Sequence, residues 1–299
     1  MDLLRTPDER FRDLPGWPWA PHYLDNLPGL DGARLHYVDE GGGANGTALC
    51  LHGNPTWGYV YRHMIPVLLG AGLRVVVPDL PGFGRSDKPA RESDHGFEMH
   101  RRVLAEVVER LDLRRITLVC QDWGGILGLT LPPAMPDRFE RLLVMNTTLG
   151  TGEALSEGFL QWRDYVRRTP DLPVGRLLAR GKPELTEEEQ LAYDAPFPDA
   201  AFKAALRAFP ELLPASADAP GAAQSRAAAA FFEQHWSGDA FLAIGMRDPV
   251  LGPPVMRALA ARIRGARPPL ELPQAGHFVQ EWGEPVARAA LTAFGLAPA

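Results

Sequence analysis

Short apolar runs rich in β-branched residues alternate along most of the chain with longer stretches of helical period, and this alternation restricts the fold more than any other feature. Strands are predicted at Leu35–Asp39, Ala48–His52, Arg74–Asp79, Ile116–Gln121, Leu142–Asn146, Phe241–Gly245 and Leu270–Leu272. Helices are predicted to start near Trp57, Phe97, Gly124, Pro253 and Pro285. Strand-helix-strand units of this kind build an α/β fold, a mostly parallel central sheet with helices on both faces. Over Phe97–Leu113 the apolar positions Val103, Leu104, Val107, Val108 and Leu111 fall close to a 3.6-residue period, so this helix should cover one face of the sheet.

Between Asn146 and about Gly238 the alternation stops. Short helical patterns there are broken by Pro170, Pro173, Pro183, Pro196, Pro198, Pro210, Pro214 and Pro220, and Ala227–Ala230 is alanine-rich. About 90 structureless residues have no place inside a compact domain, so the segment is expected to be a helical cap lying over the strand ends. The organisation expected is a core of residues 1–147, a cap of 148–238 and the rest of the core at 239–299.

Composition narrows the partners. The 299 residues are 45% hydrophobic and 23% charged, as in a soluble globular chain. No uncharged apolar run approaches the roughly 18 residues of a spanning helix, and Met1–Arg10 lacks the apolar centre of a signal peptide, so a cytoplasmic protein is expected. Thirty-one basic and 37 acidic residues give a net charge of −6 without a basic stripe. Nucleic acid and anionic membrane are therefore not expected as partners, whereas a small neutral ligand is. Cys50 and Cys120, the only two cysteines, each sit in an apolar strand, and they read as small core side chains rather than a disulfide or metal site. The acidic run Glu187-Glu188-Glu189 reads as a solvated helix face, and Gly41-Gly42-Gly43 as a loop.

The most specific local feature is Val119-Cys120-Gln121-Asp122-Trp123-Gly124-Gly125, an apolar strand entering a helix through small residues placed two before and two after Asp122. That spacing is what a strained strand-to-helix elbow needs. A serine in the central position requires a base, whereas a carboxylate is already ionised near neutral pH and can displace a leaving group from saturated carbon. The plainer alternative is an aspartate capping a helix. Two further features favour chemistry. His277, in Gln274-Ala275-Gly276-His277-Phe278, follows the last strand, and Asp248, in Gly245-Met246-Arg247-Asp248-Pro249, follows the strand before it. Asp248 can accept the imidazole Nδ1–H while His277 takes a proton from water. The order nucleophile, acid, histidine, each at a strand's C-terminal end, suits the active edge of an α/β sheet. Other members of the fold place the acid after an earlier strand, here Val144-Met145-Asn146-Thr147-Thr148, which holds no carboxylate. After the second strand, Asn54 offers a main-chain amide to pair with that of Trp123 as an oxyanion hole, and its side chain and the Trp123 indole are neutral N–H donors for a departing anion.

These residues resemble the haloalkane dehalogenases of the α/β-hydrolase superfamily. The blocks that carry the likeness are His52-Gly53-Asn54-Pro55-Thr56-Trp57, Pro78-Asp79-Leu80-Pro81-Gly82-Phe83-Gly84-Arg85-Ser86-Asp87-Lys88-Pro89, Gln121-Asp122-Trp123-Gly124-Gly125 and Gly276-His277-Phe278-Val279-Gln280-Glu281. Asp194-Ala195-Pro196-Phe197-Pro198-Asp199 in the cap is similar to the branch that keeps its acid after the late strand. The resemblance implies an α/β-hydrolase fold with its cap inserted after the sixth strand. It also implies hydrolysis of a haloalkane to a primary alcohol, a halide ion and a proton, with no cofactor and no metal, by a chain expected to be a monomer. Asp122 would form an alkyl ester, and His277, oriented by Asp248, would activate water to hydrolyse it. That branch usually carries Glu where this chain has Asn54, and draws its second halide donor from a cap tryptophan. Trp123 is expected as the first donor, with Trp162 and Asn54 competing to be the second, and Trp236 is expected to pack.

Two rival functions remain at this stage. An epoxide hydrolase shares the aspartate and histidine but uses two cap tyrosines as proton donors, and Tyr165 and Tyr193 lie in the cap. A non-catalytic receptor of the same fold is the other, since fold does not fix function; degenerate versions generally lose a triad member, and all three are present here.

Overall fold

Eight strands pair into one sheet in the computed structural model, which describes residues 1–30 and 32–296. In chain order they are β1 (His22–Leu24), β2 (Leu35–Glu40), β3 (Thr47–Leu51), β4 (Arg74–Pro78), β5 (Ile116–Gln121), β6 (Phe139–Met145), β7 (Asp239–Gly245) and β8 (Leu270–Leu272). Their spatial order is β8-β7-β6-β5-β3-β4-β2-β1. The pairs from β8 through to β4 are parallel, and β2 joins both β4 and β1 antiparallel. Every residue of β3 and β5 is buried, as expected of central strands covered on both faces. A separate two-stranded ribbon pairs Leu3–Leu4 with Lys88–Pro89.

Helices of the core are α1 (Ile65–Gly70), α2 (Phe97–Arg110), α3 (Trp123–Gly128), α9 (Pro253–Arg262) and α10 (Gly283–Ala293), and between β6 and β7 lie α4 (Glu157–Arg168), α5 (Val174–Gly181), α6 (Glu187–Asp194), α7 (Ala204–Leu212) and α8 (Ala222–Gln234). The five helices between β6 and β7 thus leave the sheet after its sixth strand. Of the prolines that interrupt this segment, only Pro210 lies inside a helix; the others fall in the connections, where a missing N–H costs no helical bond. Ser156 caps α4 by accepting from the Phe159 N–H at 3.2 Å, and Thr186 and Glu189 form a reciprocal capping box at α6.

Sequence reading and structure differ at several ends. Near Trp57 the chain first makes a single 3-10 turn, Gly58–Tyr61, before α1 begins; a similar turn, Val279–Trp282, precedes α10. The edge strand β1 was not expected, because three residues with only one aliphatic side chain carry no readable alternation. Among the described residues no helix is long and apolar enough to cross a membrane.

The segment between β6 and β7 is fastened to the core at its far side. The Trp57 indole donates to the Ala192 carbonyl at 3.1 Å. Arg62, buried, donates to both oxygens of Glu281 at 2.7 and 2.8 Å, to Glu189 at 3.0 Å and to the Tyr193 hydroxyl at 3.1 Å. Glu189 is therefore half of an ion pair, while its neighbours Glu187 and Glu188 are exposed. From the N-terminal arm, Thr6 donates to the Pro196 carbonyl and Arg10 to the Ala195 carbonyl, each at 2.7 Å.

Space is tightest where α3 meets β3. A Cβ on Gly124 would collide with the Leu51 carbonyl, whereas one on Gly70, at the exposed end of α1, meets nothing. Gly124→Ala should therefore lower the unfolding free energy by about 3 kcal/mol, the upper part of the range for overpacking. Gly70→Ala should raise it by about 0.5–1 kcal/mol through the unfolded chain and helix propensity. Urea midpoints at constant m-value measure both.

Candidate active site

Asp122 leaves β5 with φ 50° and ψ −127°, a conformation that residues with a side chain rarely adopt. Its main chain is pinned from several sides. The N–H donates to the Asn146 carbonyl at 2.9 Å, and the carbonyl accepts from the Gly125 and Ile126 N–H groups at 2.9 Å and from the Thr147 hydroxyl at 2.6 Å. β3 and β5 are neighbours in the sheet, yet their connections leave in opposite directions, β3 to β4 and β5 to β6, so a crevice opens between their C-terminal ends. Asp122 stands on one side of it and Asn54 on the other.

The two carboxylate oxygens of Asp122 have unequal surroundings. Oδ2 accepts the Asn54 main-chain N–H at 2.9 Å, while Oδ1 lies 3.5 Å from His277 Nε2. Trp123 opens α3, and its main-chain N–H is among those at a helix start that have no intrahelical acceptor.

On the other side of the imidazole, His277 Nδ1 is 2.7 Å from Asp248 Oδ2. The same oxygen accepts from Asn146 Nδ2 at 2.8 Å, and Oδ1 accepts the main-chain N–H groups of Val250 and Leu251 at 2.8 and 3.1 Å. Burial alone would raise the Asp248 carboxyl, but the His277 charge and these bonds bring it down to about 2. For His277 burial acts downward, and the charges of Asp248 and Asp122 with the Nδ1 hydrogen bond to Asp248 overcome it, raising the imidazole to about 10. The loop carrying His277 lies so close to the end of β7 that a Cβ on Gly245 would strike the Gly276 carbonyl.

Over these groups lies a cavity of about 360 Å³, bounded by the sheet ends below and by α4 and α5 above. All six residues singled out in the sequence border it: Asp122, His277, Asp248, Trp123, Asn54 and Trp162. Trp123 packs edge-on against Phe209 at 5.0 Å between centroids, and its indole N–H meets no acceptor among the described residues. Trp162 lies on α4 beside Tyr165, and its indole N–H likewise has no protein acceptor among them. Asn54 Nδ2 donates to the Leu206 carbonyl at 3.3 Å, and its Oδ1 is buried without a partner among the described residues. Trp236 is buried against Phe231 and Phe232 and does not border the cavity. Neither Tyr165 nor Tyr193 borders it, and the Tyr193 hydroxyl is engaged by Glu281 and Arg62.

Two contact residues went unremarked in the sequence. Asn146 stands in the segment that holds no carboxylate, and it bonds the acid from the end of the neighbouring strand. Gln121 precedes Asp122 and touches His277 Nε2 at 2.9 Å. Its position beside the elbow, within a block that carries the family likeness, is the sequence signal it gives.

The family model of the α/β hydrolase fold matches residues 48–284. A haloalkane dehalogenase of Psychrobacter cryohalolentis is 42% identical over 294 residues, covering 96% of this chain and 96% of that protein. One of Mycobacterium marinum is 42% identical over 288 residues, covering 94% and 95%. Among solved structures, the tetrameric haloalkane dehalogenase DpaA of Paraglaciecola agarilytica NO2 superposes with a TM-score of 0.96 at 48% identity, covering 98% of this chain and 99% of that one. The dehalogenase DatA of Agrobacterium tumefaciens C58 gives 0.74 at 26% identity, covering 97% and 99%. With full-length likeness in both sequence and fold, the chain belongs to the haloalkane dehalogenase family of α/β-hydrolase-fold proteins.

Proposed function

We propose that this chain hydrolyses the carbon–halogen bond of small haloalkanes to a primary alcohol, a halide ion and a proton, through an alkyl ester on Asp122 and without a cofactor. The observation that carries the reading is the asymmetry of the Asp122 carboxylate, one oxygen held by the Asn54 amide and the other open to the cavity beside His277.

Oδ1, free of main-chain donors, attacks the halogen-bearing carbon; the carbon–halogen bond breaks and its electron pair leaves with the halide. Neutral indole N–H groups stabilise that anion without adding a cation that would quench the nucleophile. Trp123 serves as the first donor. Trp162 serves as the second, because one N–H of the Asn54 amide is already given to Leu206. Water then loses a proton to His277 Nε2 and adds to the aspartyl carbonyl carbon. Oδ2 takes the negative charge against the Asn54 and Trp123 main-chain N–H groups. Collapse expels the alkoxide, which regains the proton from His277, and the carboxylic acid formed at Asp122 loses its own to solvent. Asp248 stabilises the imidazolium in between.

The helices of residues 148–238 act here as a lid that keeps bulk water from the ester. We assign the chain to the cytoplasm as a monomer, whereas DpaA is tetrameric. Epoxide opening is not favoured, because an alkoxide needs an O–H donor and neither cap tyrosine borders the cavity.

Incubation with 1-bromobutane should release bromide, and incubation with styrene oxide should give no diol; the reverse outcome would establish the rival chemistry. His277→Phe should still be alkylated but hydrolyse the ester roughly 10³-fold more slowly, the usual contribution of a general base. Intact-mass spectrometry should then find a butyl adduct, mapped to Asp122 by peptide sequencing. Trp123→Phe and Trp162→Phe should each weaken bromide binding roughly 10- to 100-fold, the loss of one hydrogen bond to a charged group, and more than Asn54→Ala does. Quenching of the remaining tryptophan fluorescence by bromide reads the difference.

A further inference from the structure

Gln121, the last residue of β5, is fully buried, and its side-chain amide is spent on the imidazole loop. Its Nε2 lies 2.9 Å from His277 Nε2 and 3.1 Å from the His277 carbonyl oxygen, and its Oε1 accepts from Gln280 Nε2 at 3.2 Å. The carbonyl oxygen of His277 can only accept, so the amide atom facing it is the NH₂ group. Turning the amide over would set two carbonyl oxygens against each other and two NH₂ groups against each other. With this orientation fixed, the second N–H of Gln121 meets His277 Nε2, which can receive it only as a lone pair. In the neutral ring the imidazole proton then resides on Nδ1, where Asp248 Oδ2 accepts it at 2.7 Å. Holding the amide so has a cost: Gln280 is also fully buried, and its Oε1 is left without a partner.

Opposing influences meet at Nε2. The charges of Asp122 at 3.5 Å and of Asp248 favour a second proton on the ring, while Arg180 of α5 and Arg247 beside Asp248, bordering the same cavity, act against it. The Gln121 N–H acts against it at closer range, because imidazolium would bring two donors face to face. We propose that Gln121 is a positioning residue that keeps His277 Nε2 unprotonated, and that its influence prevails once Asp122 is esterified and has lost its charge. The imidazole is thereby left neutral, and Nε2 exchanges the Gln121 N–H for the proton of water in the step that needs a base. The inference rests on the ester mechanism above, and it assigns to a neutral amide a task that the triad does not perform for itself.

Gln121→Glu presents an acceptor in place of the donor and should reverse the preference at Nε2; Gln121→Met removes the donor alone. In rapid-quench single turnovers of 1-bromobutane from pH 6 to 10, formation and hydrolysis of the ester are followed separately. For Gln121→Glu, the ionisation that limits hydrolysis should move up by about one pH unit or more, which at neutral pH is about a tenfold slower hydrolysis recovered at high pH. Ester formation should stay within about threefold of the parent, by the same conversion. Gln121→Met should shift the limb in the same direction by less. A role confined to packing would slow both steps at every pH and leave the limb in place, and that result overturns the proposal. If either variant fails to fold, ¹⁵N chemical shifts of the unmodified protein's alkylated state at neutral pH decide. A proton on Nδ1 alone supports the role of Gln121, and a proton on Nε2 overturns it. Absence of any ester in the unmodified protein would instead fell the mechanism on which the inference rests.

Discussion

The backbone of Asp122 is held at a positive φ by contacts that leave no room for relaxation, and the geometry of the cavity is referred to that point. The elbow exists because α3 can approach the end of β3 closely, which only a residue without a side chain at position 124 permits. It is held in place because Asn146 and Thr147, at the end of the neighbouring strand, bond the Asp122 peptide groups on both sides. Strain of this kind costs stability locally and is sustained by the surrounding packing. Here that packing is the buried centre of a parallel sheet. The carboxylate is thus carried by the buried centre of the sheet, while the groups that attend it arrive on loops from β3, β7 and β8.

Much of this was legible because period and spacing are local properties. Parallel strands buried on both faces leave continuous apolar runs, so β3, β4, β5 and β7 could be read to within a residue or two. The elbow announced itself through the small residues Cys120 and Gly124. What stayed hidden depends on contacts between distant segments. Asn146 reads as a plain asparagine after a strand until β6 and β7 are set side by side, when its amide meets Asp248 at 2.8 Å. Gln121 reads as the polar end of an apolar strand until the His277 loop folds over it. The proposed choice of Trp162 over Asn54 was beyond sequence for the same reason, since it rests on a carbonyl of α7 reaching the asparagine.

A specific motif need not mark chemistry. The block Pro78–Pro89 carries the family likeness as strongly as the elbow does, yet the first of its two acids, Asp79, is fully buried. Asp79 accepts from the main-chain N–H groups of Gly58 and Arg85 at 2.8 Å and pairs with His36 at 2.7 Å. Burial would raise this carboxyl, and the charge and hydrogen bond of His36 instead bring it to about 2, so it remains an anion that ties β2, the turn at Gly58 and the loop at Arg85 together. Arg62 does comparable work between Glu281 and the α6 residues Glu189 and Tyr193. Such pairs contribute little net stability when intact, but removing one partner leaves an uncompensated charge in the interior. That asymmetry explains how a polar cluster can fix the seating of the short helices between β6 and β7.

The differing environments of the two Asp122 oxygens carry one more consequence for the proposed reaction. The oxygen anchored by the Asn54 amide remains with the enzyme, while the unanchored one departs inside the alcohol when the acyl–oxygen bond breaks. Its replacement comes from the water that His277 deprotonates and is delivered on the imidazole side. The protein is therefore a stoichiometric donor as well as a catalyst, rebuilding part of its own side chain from solvent in every cycle, and the atom it gives away is the one its backbone does not grip.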